Sequence, residues 1–385
     1  MSDYRFDKIK INGYRRLFDV ELQMRPLTVM IGPNGVGKTS ILDIFSLLAS
    51  SARGALRETI SQSGGIQDIL TSGKSDHISF GLEMSAPDHN PLFYDISLRP
   101  KGLSYEVSAE TLAQRHSGDD GPVNYIESSG PDIKYYNPEK KRLEPPNWEH
   151  SYFETSLSQV PKMYKEPEIF RNQLASCAHY SAYALTLGND APIRAPQKMQ
   201  PATHPGANGE YLVSCLYYLR ETDRDRFEII KDTLSVAFPG FIRLSFPPVA
   251  AGTMSMTWED ENFSKPVYMN QLSEGMLRFL WLITLLQSPD LTAVTLIDEP
   301  EVSLHPQLLS ILSETFREAS KRTQLIIATH SGRLIQFLEP SEVAVLDSED
   351  GVTHVTWADH MDLDEWLKEY NLEELWSMGR LGGKS

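Results

Sequence analysis

A glycine-rich stretch between an apolar segment and an amphipathic segment constrains this sequence more than any other feature. Residues 26–31 are largely apolar, which is typical of a strand at the buried centre of a sheet. From Lys38 to about Ser51 the apolar residues fall on one broad face, which predicts a helix. The residues between them, Gly-Pro-Asn-Gly-Val-Gly-Lys-Thr at 32–39, have the spacing GxxxxGK[ST]. A strand, a loop and a helix in this order predict an α/β fold with a phosphate-binding loop.

The chemistry of phosphate binding explains why the loop needs these residue types. Glycines allow successive backbone N–H groups to point at phosphate oxygens, and the following helix presents its positive N-terminus to them. We expect Lys38 to contact the β- and γ-phosphates of a nucleoside triphosphate and the Thr39 hydroxyl to bind Mg²⁺. The residues predicted to contact the nucleotide in this loop are Gly32, Pro33, Asn34, Gly35, Val36, Gly37, Lys38, Thr39 and Ser40.

A second apolar segment ends in two carboxylates. Residues 294–297 are Val-Thr-Leu-Ile, and Asp298 and Glu299 follow them. An aspartate at the C-terminal end of a buried strand can hold Mg²⁺ beside a phosphate-binding loop, and the next residue can polarise the attacking water as a general base. We therefore predict that Asp298 is a metal ligand and that Glu299 is a catalytic residue. For Glu301, a polar contact and a solvated surface position remain alternatives.

A histidine follows a third apolar segment. Residues 325–329 are Leu-Ile-Ile-Ala-Thr, and His330 comes next. In a sheet whose strand ends already carry phosphate ligands, this imidazole can form a hydrogen bond to a γ-phosphate oxygen. Lys38, Glu299 and His330 are therefore the predicted catalytic residues.

A short polar motif precedes the helix predicted over residues 274–286. Gln-Leu-Ser-Glu-Gly occupies 271–275, and Ser273 is a good N-cap. In chain order the motifs are GPNGVGKTS, LSEG, LIDEPEVSLHP and ATHS. With these motifs the chain resembles the ABC-type ATPase heads of the SMC, RecF and OLD families, in particular the compact AAA-21 group. The opening sequence INGYRRLFDVEL followed by LTVMIGPNG fits the same heads.

This resemblance implies a site that two copies complete together. In such heads the serine and glycine of the signature, here Ser273 and Gly275, bind the γ-phosphate of ATP held by the other subunit. ATP and Mg²⁺ are therefore the expected ligands, and a homodimer around ATP is the expected assembly. Glu274 and the segment 302–306 depart from the transporter pattern and favour DNA maintenance or defence over transport. Family heads also use a glutamine near the metal. Gln67 is a candidate for this residue, but it can equally be an ordinary surface glutamine, and we assign it no role.

The pattern along the whole chain predicts an α/β, P-loop ABC-type ATPase head. Its expected parts are a central, mostly parallel sheet, an antiparallel β subdomain and an irregular and helical insertion. Short alternating segments predict an antiparallel meander, and loops with short helices are expected over 137–205. The segments are 1–75 (N-terminal part of the head), 76–136 (antiparallel meander), 137–270 (insertion returning to strands), 271–347 (C-terminal part of the head) and 348–385 (acidic C-terminal tail).

Composition limits the classes of function. The 385 residues include 36 Lys and Arg against 52 Asp and Glu, which gives a net charge of -16. Such a chain is not expected to coat nucleic acid unaided, because phosphate contacts depend on Lys and Arg. The two cysteines, Cys177 and Cys215, have no zinc-type spacing and are expected to be buried thiols. No signal peptide or membrane-length apolar segment occurs, so a soluble, cytoplasmic protein without membrane contact is expected.

Resemblance and chain length together lead to a functional hypothesis. We expect an ATPase that drives or gates a nucleic-acid process, either DNA repair or antiviral defence, with DNA as a candidate ligand. Too few residues follow His330 for a further catalytic domain, so an effector or nuclease is expected on a separate chain. The alternative is a slow, nucleotide-switched scaffold that a partner recognises. The tail, which mixes acids with Leu and Trp, suits docking on a partner or on its own head.

Overall fold

A computed structural model of the chain describes residues 4–86, 89–115, 122–162, 164–250 and 252–382. Within these residues the strands are β1 Arg5–Asn12, β2 Val20–Gln23, β3 Leu27–Ile31, β4 Ile78–Ala86, β5 His89–Lys101, β6 Ser104–Gln114, β7 Val123–Ser129, β8 Asp132–Asn137, β9 Arg142–Glu144, β10 Ala178–Ser181, β11 Gln197–Lys198, β12 Phe241–Ser245, β13 Pro248–Ala250, β14 Thr253–Met254, β15 Thr257–Asp260, β16 Val267–Tyr268, β17 Val294–Asp298, β18 Gln324–Thr329, β19 Val343–Glu349 and β20 Val352–Trp357.

The α-helices of the same residues are α1 Lys38–Ala52, α2 Leu56–Gln62, α3 Ile66–Ile69, α4 Ser156–Gln159, α5 Lys165–Ser176, α6 Leu212–Thr222, α7 Arg224–Ala237, α8 Glu274–Leu286, α9 Gln307–Ser320, α10 Gly332–Ile335 and α11 Leu372–Ser377. Short 3-10 turns occupy Pro192–Arg194, Met269–Gln271, Pro340–Glu342, Ala358–His360 and Trp366–Lys368.

The central sheet has six strands in the order β10-β17-β18-β3-β19-β20. Every neighbouring pair is parallel except β19 and β20, which are antiparallel. Strands β3, β17 and β18 are buried along their whole length, as their continuous apolar sequences require. The predicted central, mostly parallel sheet is therefore present. Its three buried strands bring the phosphate loop, Asp298 and His330 to the same edge.

The second large sheet has eight antiparallel strands in the order β2-β1-β4-β5-β6-β7-β8-β9. It contains the predicted meander, and the N-terminal strands β1 and β2 extend it rather than the central sheet. The Gln324 side chain joins the two sheets, because it accepts a hydrogen bond from the Phe6 backbone N–H and donates one to the Phe6 carbonyl, each at 2.7 Å. One hydrophobic cluster with residues of both sheets and of α1 fills the space between them.

The segment 137–205 is more regular than its composition predicts. It contains the twelve-residue helix α5 and the strand β10, which forms an edge of the central sheet. Pro167 lies in the first turn of α5, where the missing N–H has no intrahelical partner to lose. Farther along, α6 and α7 are separated at Asp223, and this residue caps α7 by accepting a hydrogen bond from the Arg226 N–H.

The C-terminal segment packs on its own head. Strand β20 belongs to the central sheet, and Leu372, Leu375 and Leu381 are buried in the hydrophobic cluster on its other face. Of the two alternatives for this segment, the structure shows packing on the chain itself. Both cysteines are buried free thiols, as predicted. Among the described residues, no helix has the length and apolar content to cross a bilayer.

Candidate nucleotide site

The glycine-rich loop connects β3 to α1, and its backbone explains its glycines. Gly35 and Gly37 have φ angles of 74° and 114°, in the left-handed region where a side chain causes strain. Gly32 lies against the chain of β19: a Cβ atom added there would be 2.3 Å from the Leu346 carbonyl oxygen. The loop therefore takes a shape that most other residues would disturb.

A threonine of β20 holds this loop from behind. The buried Thr353 hydroxyl donates a 2.6 Å hydrogen bond to the Val36 carbonyl. Leu17 lies close by, since a Cβ atom on Gly37 would be 3.0 Å from its Cδ2 atom. Sequence reasoning did not identify Thr353 as a site residue, because nothing in the local pattern links it to a loop more than three hundred residues earlier.

Lys38 is buried at the first turn of α1, and three acceptors surround its ammonium group. Its Nζ atom donates to the carbonyls of Gly32 and Pro33, at 2.6 and 3.0 Å, and lies 3.2 Å from His330 Nδ1. Burial lowers the pKa of Lys38 to about 8, although the nearby carboxylates of Glu299 and Asp298 act in the opposite direction. Phosphate oxygens are stronger acceptors of the same kind and can take the place of these groups.

Thr39 and Asp298 supply oxygen atoms beside this lysine. The Thr39 hydroxyl lies 3.4 Å from Asp298 Oδ2, while Oδ1 of the same carboxylate is buried without a hydrogen-bond partner. Burial raises the pKa of Asp298. Within the described residues, no group of three or more His, Cys, Asp or Glu could hold a metal ion by itself. Mg²⁺ typically combines one or two protein oxygens with substrate phosphates and water, so these residues fit a magnesium ion that binds together with a nucleotide.

Glu299 and His330 form the other side of the site. Glu299 Oε1 lies 3.0 Å from His330 Nε2, and the Glu299 backbone has a left-handed φ of 53°. Burial raises the pKa of Glu299 to about 8, and the negative charge of Glu301 adds to this effect. Burial and the charge of Lys38 lower the pKa of His330. A neutral imidazole that accepts from Lys38 at Nδ1 and donates from Nε2 to Glu299 accounts for both of its contacts.

Glu301 makes a defined polar contact, which decides between the two alternatives for this residue. Its Oε1 atom accepts hydrogen bonds from the Thr329 hydroxyl and, at 3.3 Å, from the His330 backbone N–H. Glu301 therefore holds the end of β18 in place, and its charge favours protonation of Glu299.

The signature residues lie elsewhere on the surface of the chain. Ser273 caps α8 by accepting a hydrogen bond from the Met276 N–H at 3.2 Å, and both Ser273 and Glu274 are exposed. A Cβ atom on Gly275 would lie 2.8 Å from the Ser303 carbonyl oxygen. No hydrogen bond or ion pair of the described residues joins this turn to the phosphate loop. Gln67 is exposed on α3, and we assign it no role at the metal site.

Two arginines attach the signature turn and its helix to the rest of the head. Arg194 donates to the Leu272 carbonyl at 2.8 Å. Arg278, buried on α8, donates to the Ala182 carbonyl, and the Ala182 N–H donates to the Asp298 carbonyl at 3.0 Å. The signature helix is thus connected by two hydrogen bonds to the strand end that carries Asp298.

Comparisons with known proteins agree with this architecture. Residues 27–335, more than half of the chain, match the AAA-21 family, described as "AAA domain, putative AbiEii toxin, Type IV TA system". A stretch of 50 residues is 38% identical to an OLD nuclease of Thermus scotoductus, but it amounts to 13% of this chain and 10% of that protein.

Solved structures of SMC heads have a similar fold. A head bound to the C-winged helix domain of ScpA matches with a TM-score of 0.60 at 13% identity, over 91% of this chain and 97% of that one. A head from Pyrococcus furiosus with an extended coiled coil, bound to the C-terminal domain of ScpA, matches with a TM-score of 0.56 at 12% identity, over 97% and 100%. At such identities the likeness concerns the fold alone. The family match shows that this chain belongs to the AAA-21 family, and its fold is that of a P-loop ABC-type ATPase head, as in the SMC head structures.

Proposed function

We propose that this protein binds ATP with Mg²⁺ and hydrolyses it. The observation that carries the proposal is the meeting of Lys38, Thr39, Asp298, Glu299 and His330 at one edge of the central sheet. These residues come from three strand ends that are far apart in the sequence. Their contacts form a cationic group, a pair of oxygen ligands and a carboxyl–imidazole pair, which are the parts that phosphoryl transfer to water requires.

Each residue has a role that follows from its surroundings. Lys38 exchanges its carbonyl acceptors for phosphate oxygens and neutralises charge that develops on them. Magnesium held by Thr39 and Asp298 would supply further positive charge beside the phosphates. Glu299 orients and polarises the attacking water, and its backbone and His330 contacts hold the carboxyl group in one position. His330 is placed to form a hydrogen bond to a phosphate oxygen once Lys38 has turned to the nucleotide.

We propose that two copies complete the site. Ser273 and the N-terminus of α8 are exposed and make no polar contact with the phosphate loop of their own chain within the described residues. An exposed helix N-terminus whose capping serine can still donate its hydroxyl hydrogen is suited to bind the γ-phosphate of a second copy. ATP would then stabilise the dimer by binding both copies, and hydrolysis would release it.

We further propose that ATP hydrolysis drives or gates a nucleic-acid process. Membership of the AAA-21 family and the short match to an OLD nuclease support this proposal. In this proposal a separate effector or nuclease chain acts on DNA, since the acidic head itself is poorly suited to bind it. ATP turnover with and without DNA ends separates this function from the alternative, a slow scaffold whose turnover is indifferent to DNA.

The substitution Glu299→Gln tests the catalytic proposal. It keeps the shape and hydrogen bonds of the side chain but removes the base, so we expect normal ATP binding, turnover lowered by about 10²–10⁴-fold, and a dimer that accumulates with ATP. Turnover is measured by phosphate release and the dimer by light scattering after gel filtration. Glu318→Gln is the matched control and should keep normal turnover, because this glutamate is exposed on α9 and, among the described residues, forms an ion pair only with the exposed Lys321. Normal turnover by Glu299→Gln would show that the base is misassigned.

A further inference from the structure

A histidine on β10 faces the same side of the central sheet as Asp298. In the parallel pairing of β10 with β17, Ser181 is opposite Asp298 and His179 is opposite Leu296. Residues two apart on a strand lie on one face, so His179 is one step deeper in the sheet than the end that carries Asp298.

One face of α1 contacts the side chains of both His179 and Asp298. Thr39, Asp43 and Ser46 follow each other at helical spacings of four and three residues, so they share that face. The Thr39 hydroxyl lies 3.4 Å from Asp298 Oδ2, and the Ser46 Oγ atom lies 3.5 Å from His179 Nδ1. His179 and Asp298 are therefore neighbours in a narrow polar layer between α1 and the sheet.

Each of these two side chains has one buried polar atom with no hydrogen-bond partner, namely His179 Nε2 and Asp298 Oδ1. The Ser46 hydroxyl donates to the Leu42 carbonyl at 3.2 Å. His179 therefore donates from Nδ1 to Ser46, and its Nε2 atom is an acceptor. Two buried acceptors without donors are costly, and a water molecule that donates one hydrogen to each would satisfy both.

We propose that His179 is a positioning residue of the magnesium site. Through a shared water it holds Oδ1 of Asp298, so that Oδ2 stays directed at Thr39 and at the metal. Groups that orient a metal-binding carboxylate in this way affect metal affinity strongly, because a free carboxylate rotates away from the ion. This inference rests on the proposed function and adds to it a residue outside the predicted motifs.

The substitution His179→Phe tests the inference in the full chain. Mn²⁺ serves as the probe, and its binding in the presence of a non-hydrolysable ATP analogue is measured by electron paramagnetic resonance, which requires no turnover. We expect the Mn²⁺ affinity to fall by about 10–100-fold, while binding of the same analogue without metal stays at the wild-type level. His179→Gln can place its amide oxygen near the position of Nε2 and should recover part of the affinity.

The control is His150→Phe, the same change at a partly buried histidine beside Tyr135 in the antiparallel subdomain, and it should bind Mn²⁺ like the wild type. The inference is overturned if His179→Phe keeps wild-type Mn²⁺ affinity, or if it loses metal-free analogue binding by the same factor, which would indicate a structural role. Failure of the wild-type chain to bind Mn²⁺ with the analogue would contradict the proposed function itself.

Discussion

The hydrogen bond from Thr353 to the phosphate loop can be removed without changing the shape of the side chain. Thr353→Val replaces the hydroxyl by a methyl group of similar size. The Val36 carbonyl then loses the 2.6 Å bond that it accepts in a buried position. A valine also suits the β20 strand, so the backbone should remain as it is.

The expected magnitude follows from leaving one buried acceptor unsatisfied. This costs about 1–3 kcal/mol of folding free energy, which for a chain of this size lowers the thermal unfolding midpoint by about 1–4 °C. If the loop shifts to bring Val36 into contact with water, part of the cost appears as weaker ATP binding, about tenfold for each 1.4 kcal/mol. Calorimetry measures the midpoint, and titration with a fluorescent ATP analogue measures the affinity.

The matched control is Thr356→Val on the same strand, where the side chain is exposed. It should change neither the midpoint nor the affinity. If Thr353→Val equals this control in both measurements, the bond to Val36 does not hold the loop and the reasoning is refuted.

Three further predictions concern the nucleotide site. Lys38→Ala should abolish ATP binding in the fluorescence titration, and measurable binding near wild-type strength would contradict the role of its ammonium group. Ser273→Arg should leave ATP binding intact but lose both the ATP-dependent dimer and turnover, since a large cation then blocks the exposed end of α8; a dimer that persists would place the second copy elsewhere. At about pH 9, ATP binding should take up a proton, because phosphate raises the Lys38 pKa from its value of about 8 in the free site. This proton uptake should vanish below about pH 7 and persist in Glu299→Gln. It is measured by calorimetric titration with ATP in buffers of different ionisation enthalpy, where proton uptake makes the heat depend on the buffer. Heat that is independent of the buffer at every pH would contradict the prediction.

The C-terminal part of the central sheet could be predicted closely because its signals are local. Ser273 marks the start of α8, which was predicted with the bounds observed, and the continuous apolar residues before His330 mark the buried strand β18. The grouping of Glu299 and His330 followed from one rule, namely that parallel strands end at the same edge of a sheet.

Other parts of the site depend on contacts that no local pattern records. Strand β10 has four residues and lies at a sheet edge, so neither length nor periodicity distinguishes it from a loop. The place of His179 beside Asp298 depends on the register of β10 with β17, and the role of Thr353 depends on its contact with Val36. Partner choice in a sheet is a long-range property, which explains why these residues were missed while the motifs were found.

The position of β3 has a consequence for how the protein is made. Its two neighbours in the central sheet are β18 and β19, and the residue that holds the phosphate loop comes from β20. The loop therefore leaves the ribosome long before the strands that support it are synthesised. Such long-range pairing is slow and leaves apolar strands exposed while translation continues. Nascent chains of this protein should accordingly stay unable to retain nucleotide, and dependent on chaperones, until residue 353 has emerged.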